Sequence, residues 1–105
     1  MASDIEYVNF VCEQAAKAGT IRFKKMFGDY LVYCDNKPVL LICDNTVYIK
    51  ILPEITEILG DAEQGYPYIG AKLHYVLDID NKELVVLIVR KLAELLPLPK
   101  KKTTK

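Results

Sequence analysis

Between Thr20 and Ile51 the sequence falls into four short apolar-rich runs, the first cleanly alternating, separated by glycine, proline, aspartate and asparagine. A helix through this region would need apolar residues at three- and four-residue spacing, and every one of those clusters would break it. Antiparallel strands joined by tight turns meet both conditions. Ile21-Arg22-Phe23-Lys24 alternates cleanly, Gly28-Asp29 interrupts it, and Tyr30-Leu31-Val32-Tyr33-Cys34 resumes before the Asp35-Asn36-Lys37 turn. Pro38 can open the third strand, where its missing donor costs least. Val39-Leu40-Leu41-Ile42-Cys43 is apolar at both parities, which predicts a central strand covered on both faces, with helices on one of them. Asp44-Asn45 is then a two-residue hairpin signal, since both residues tolerate positive φ, and it leads into the strand over 46–51.

Helical periodicity flanks these strands. Ser3 and Glu6 have the spacing of a capping box, and Ile5, Val8, Val11, Cys12 and Ala15 recur at helical intervals, which predicts a helix over 4–17 stopped by Gly19. Pro53 opens a second helix running to Leu59, with Glu54 and Glu57 near its positive end and Gly60 as its stop. Residues 65–70 read as an ordered, aromatic loop and 74–77 as a fifth strand. The β-branched run at 84–89 is ambiguous by propensity. Its length decides for a helix over 81–96, capped by Asp80 or Asn81, because Glu83, Arg90 and Glu94 share one helical face. Leu87 points into that polar face with Val86 at its margin, so the helix is either buried nearly all round or turned towards a partner. The predicted fold is therefore α+β and two-layered: helix, four strands, helix, strand, helix, with an antiparallel sheet packed against helices over residues 1–99.

The 105 residues suit one domain, and no run of apolar residues approaches the ~18 of a membrane span. The start lacks the basic and apolar regions of a signal peptide, which points to a cytoplasmic protein with no membrane partner. The formal net charge is zero, but residues 100–105 hold four of the fourteen cations. Residues 1–99 thus carry ten basic against fourteen acidic groups, a net of −4, followed by a basic tail expected to be disordered. Neutrality therefore excludes no class of partner.

Three cysteines, Cys12, Cys34 and Cys43, have no Cys-x-x-Cys spacing and one histidine, His74, to join them. They read as reduced, buried thiols, and the sequence assigns no catalytic residue, metal or cofactor. Asp78 and Asp80, and Glu54 and Glu57, suit turn formation and helix capping better than acid–base work. Arg22, Lys24 and Lys25, extended by Lys50 and Lys72, form a candidate cationic surface for nucleic acid or another partner, with tyrosines near enough to stack on bases. The pair Tyr66 and Tyr68, between two glycines, must bury its rings either on the protein's own sheet or on a partner.

The pattern Arg22-x-x-Lys25-Met26-Phe27-Gly28-x-Tyr30-x-x-Tyr33, then Val47-Tyr48-Ile49-Lys50, then Pro67-Tyr68 and His74-Tyr75, resembles the N-terminal domain of TfoX/Sxy-type competence regulators over residues 4–96. Its motif residues here are Met26, Phe27, Gly28, Tyr30 and Tyr48. The resemblance implies a two-layer fold with an antiparallel sheet flanked by helices. It also implies a link to bacterial gene regulation, in which full-length members promote expression of genes for DNA uptake. The leading expectation is a non-enzymatic regulatory module that binds a protein partner or a second copy of itself, with Tyr66, Tyr68, Val86 and Leu87 as candidate interface residues. Direct nucleic-acid binding through the cations and basic tail is one alternative. A small-molecule site near His74 and the tyrosine loop is another.

Overall fold

Two Asp-Asn pairs set the register of the sheet. Asp35, Asn36, Asp44 and Asn45 all have φ between 51° and 69°, the left-handed values that a two-residue hairpin with the sheet's own twist requires. The structure is a computed structural model that describes residues 4–26 and 29–96. In it strands β1 (Ile21–Met26), β2 (Asp29–Cys34), β3 (Lys37–Cys43) and β4 (Thr46–Lys50) form a meander. Helix α2 (Pro53–Leu59) then leads to β5 (Gln64–Gly65) and β6 (His74–Val76), which return to the edge of β4. The sheet is antiparallel throughout, in the order β1-β2-β3-β4-β6-β5.

Helices α1 (Ile5–Ala15) and α3 (Lys82–Leu95) cover one face of this sheet. Val8, Val11 and Ala15 of α1 and Val85, Ile88, Val89 and Leu92 of α3 are buried against Val32, Leu40, Ile42, Val47, Ile49 and Tyr75. The β-branched run of α3 is helical, as length predicts, and Asn81 is its cap, accepting from the Leu84 amide at 3.2 Å. Polar anchors fix the layers. The Lys37 ammonium donates to the Ala93 carbonyl at the negative end of α3, at 2.5 Å, and Tyr75 Oη donates to the Gly60 carbonyl, also at 2.5 Å.

The α+β, two-layer architecture stands, with four departures from the sequence reading. The sheet has six strands because Gln64, left unassigned, and Gly65, expected in the loop, pair with β6. The first helix ends at Ala15 and continues as a 3-10 turn over Ala16–Ala18. Gly19 follows in extended backbone rather than a left-handed cap, and its role is steric. A Cβ there would stand 2.8 Å from Cys34 Sγ and 3.0 Å from the Asp35 carboxylate, so only glycine lets the chain cross the β2–β3 turn. Asp4 occupies the cap position of α1 without a side-chain cap, its amide donating instead to Asn45 Oδ1 at 2.9 Å; the expected Ser3 cap, the Phe27-Gly28 part of the motif and the 100–105 tail lie outside the described residues. No helix among the described residues is long and apolar enough to cross a membrane.

Candidate functional site

The sheet face away from the helices is built from the other parity of each strand. Strand register places Lys24, Leu31, Leu41, Tyr48 and Val76 in one row across β1, β2, β3, β4 and β6. Three of those five are aliphatic, so this face is not an ordinary solvated one. On one side of the row lie Arg22 and Tyr33, level with each other, and Lys50 beside His74. On the other side lie Met26 paired with Asp29, and Cys43 paired with Thr46. The face is thus basic at one end of the strands, apolar in the middle and acidic at the other end.

At the basic end the Arg22 guanidinium stacks 4.3 Å over the Tyr33 ring, and its Nε donates to Asn36 Oδ1 at 3.4 Å. His74 Nδ1 lies 2.7 Å from the Lys72 carbonyl oxygen, a contact that suits the tautomer carrying its proton on Nδ1 and leaves Nε2 as the acceptor. The five predicted cations do not form one surface. Arg22, Lys24 and Lys50 share this face and Lys72 adjoins it in the loop before β6, but Lys25 is level with Tyr30 on the helix side. Alternation forces that split, since Lys25 has the parity of Ile21 and Phe23. Of the motif residues, Met26 and Tyr48 belong to the open face. Tyr30 is buried on the helix side, edge-on to Phe23 with ring centres 5.6 Å apart.

At the acidic end Met26, Asp29, Leu31, Leu41, Cys43 and Tyr68 line a hollow of about 590 Å³. Cys43 is buried there although it faces away from the helices. Its thiol is pushed up to about 12, first by burial, then by the charge of Asp29, the hydrogen bond it gives that carboxylate, and the charge of Asp44. The phenol of Tyr48 is raised as well, chiefly by burial and then by Cys43, Asp44 and Glu63. Both groups are therefore held in their neutral, protonated forms. Cys12 and Cys34 are raised chiefly by burial, so none of the three free thiols sits in a setting that generates a thiolate.

The chain between β5 and β6 overhangs the hollow. Tyr68 lines it from above, yet its side of the loop also carries Tyr66, Ile69, Gly70 and Ala71 around a second, shallower depression. Tyr66 is 64% exposed, Tyr68 60%, and Ile69 stands wholly in solvent. The Ala71 amide donates to the Tyr68 carbonyl at 3.1 Å, and Gly70 supplies the positive φ of 89° that closes the turn. Pro67 and Ala71 are half-buried, while the side chains of Tyr66, Tyr68 and Ile69 stand largely outside. On α3, Leu87 is half-exposed and Val86 partly buried, and Val86 borders a depression shared with Lys17, Lys82, Glu83 and Arg90.

Asp29, Leu31, Leu41 and Ile69 were not among the residues singled out from the sequence, and Cys43 was read there as a buried thiol and not as part of a site. Strand parity offered a signal for three of them: Leu31, Leu41 and Cys43 are apolar at the parity opposite to the core residues of their own strands. No protein-family model matches the chain. It is similar to the uncharacterized 12.7 kDa protein in the trpE 5′ region of Spirochaeta aurantia, 36% identical over 107 residues that span all of this chain and 93% of that protein. This chain and the Spirochaeta aurantia protein belong to one family.

Proposed function

We propose that the chain is a regulatory interaction module, of the kind its resemblance to the N-terminal domain of competence regulators implies, and that it acts by presenting the 66–71 loop to a protein partner. The observation that carries this reading is the exposure of Tyr66, Tyr68 and Ile69 side by side on one loop. Burying a side chain of this size is worth about 1.5–3 kcal/mol, and the isolated fold leaves that gain unused. Single exposed apolar residues are common, and Leu87, set among Glu83, Arg90 and Glu94, is of that ordinary kind. Three adjacent ones bordering an apolar sheet face suit an interface core of aromatic anchors.

The test replaces the endogenous gene with one encoding Tyr68→Asp/Ile69→Asp, beside a full deletion, and measures transcripts of DNA-uptake genes. The reading expects the deletion to change those transcripts and the double variant to match it at equal protein level. An unaffected deletion strain overturns the regulatory role, and a double variant that behaves like wild type overturns the loop.

A second reading, direct binding of nucleic acid, is favoured by the placement of Arg22, Lys24 and Lys50 on one face with Tyr33 and Tyr48. It requires affinity that falls steeply with salt and a salt slope that shrinks in Arg22→Ala/Lys24→Ala, both in the intact chain and without residues 100–105.

A further inference from the structure

The hollow under Tyr68 has a chemistry of its own, separate from whatever the outside of the loop contacts. Its walls are apolar: the Met26 thioether, the aliphatic chains of Leu31 and Leu41, and the Cys43 thiol. Among the described residues its one charged lining residue is Asp29, and Tyr68 lines it from the loop side. At about 590 Å³ it falls within the range of pockets that hold small organic ligands.

We propose that this hollow is a binding site for a small organic cation, an ammonium-bearing molecule with an apolar or aromatic body, held by the Asp29 carboxylate and the Tyr68 ring. The apolar walls match the body of such a molecule. The carboxylate and the electron-rich face of the tyrosine both attract the head, and each gains strength as the ligand displaces water.

The surrounding charges point the same way. Asp44 acts on Cys43 together with Asp29, so the end of the sheet carrying the hollow is acidic. Arg22 and Lys50 sit at the opposite end of the strands, beyond the Lys24-Leu31-Leu41-Tyr48 row. Lys24 is the cation on this face nearest in register, and no ion pair within the described residues joins it to Asp29. The carboxylate accepts from the neutral Cys43 thiol and keeps further lone pairs for a ligand. An anionic ligand would meet the Asp29 carboxylate here, and an uncharged one would forgo the attraction.

Methyl-resolved NMR titration of the full chain with 2-phenylethylammonium tests the assignment, with 2-phenylethanol and 3-phenylpropionate as neutral and anionic counterparts. The expected result is saturable shifts at the Met26, Leu31 and Leu41 methyls with the ammonium, affinity at least ~10-fold weaker for the alcohol, and no saturation with the carboxylate. Asp29→Asn should bring the ammonium down to the level of the alcohol, and Leu41→Trp, which fills the hollow, should abolish both. Absence of saturable shifts at these methyls, equal affinity for ammonium and carboxylate in the unmodified protein, or undiminished ammonium affinity in a folded Asp29→Asn overturns it. The comparison of probes on the unmodified chain needs no variant to fold.

Discussion

The two faces of the sheet are made by the same strands and differ in what covers them. Under α1 and α3, Val32, Leu40, Ile42, Val47 and Ile49 are almost fully excluded from solvent. On the opposite face Leu31, Leu41, Tyr33 and Tyr48 stop at half-burial, and the cover among the described residues is one loop whose own apolar side chains stand largely in water. A helix covers a sheet efficiently because a whole stripe of side chains meets it, whereas in residues 66–73 Pro67 and Ala71 alone are half-buried and the others are exposed. The helix face is therefore where stability resides, and the open face retains incompletely covered apolar surface.

Adjacent leucines on β3 give the largest contrast. Leu40 is buried beneath the helices and Leu41 lies on the open face. Leu40→Ala should cost about 2–5 kcal/mol, the usual range for a leucine truncated in a packed core. Leu41→Ala should cost less than half of whatever Leu40→Ala does, read as urea midpoints at constant slope. Equal losses would mean that the open face is packed as tightly as the core, and would leave it little binding surface.

The two buried thiols of β2 and β3 sharpen the contrast chemically. Cys34, under the helices, is raised by burial and by Asp35, with Lys37 acting against them. Cys43, in the open-face hollow, is pushed up to about 12 by burial with Asp29 and Asp44 both adding to the shift. Between about pH 9 and about pH 12 the folded chain holds a Cys43 proton that the unfolded chain has released. Its contribution to stability is thus complete below about pH 9 and is lost as the pH rises through that window. Cys43→Ala should flatten the alkaline fall in urea midpoint by up to one proton's worth, and Asp29→Asn should flatten it in part. The tyrosines Tyr7 and Tyr48, also raised, leave a residual slope in both variants. An alkaline profile unchanged by Cys43→Ala would show that the hollow is wetter than the packing of Cys43 implies.

Much of the fold was legible because local chemistry specified it. Asp35-Asn36 and Asp44-Asn45 can adopt positive φ without glycine, so both hairpins follow from residue type. The α3 helix follows from length despite its β-branched centre. Strand β5 was not legible, since two residues show no period and Gln64 and Gly65 become a strand only by pairing with β6. The candidate surface was legible in pieces. Tyr66 and Tyr68 stood out by composition and Arg22 and Lys24 by charge, and parity alone separates Lys25 from them. The hollow was not legible, because Met26, Leu41 and Tyr68 come together only once the loop lies over the strands.

The smallest effect is expected at the loop itself. If residues 66–71 contribute recognition and little packing, Ile69→Asp should change the urea midpoint within experimental error, because its side chain is wholly in solvent in the isolated chain. Tyr68→Asp should cost somewhat more, since one side of its ring lines the hollow, and placing a carboxylate beside Asp29 adds repulsion that salt weakens. The order matters more than the size. Were Ile69→Asp the more damaging of the two, the loop would have to fold Ile69 down onto the sheet in solution. The open face would then be covered by the chain's own residues, and the distinction between its two faces would rest on the helices alone.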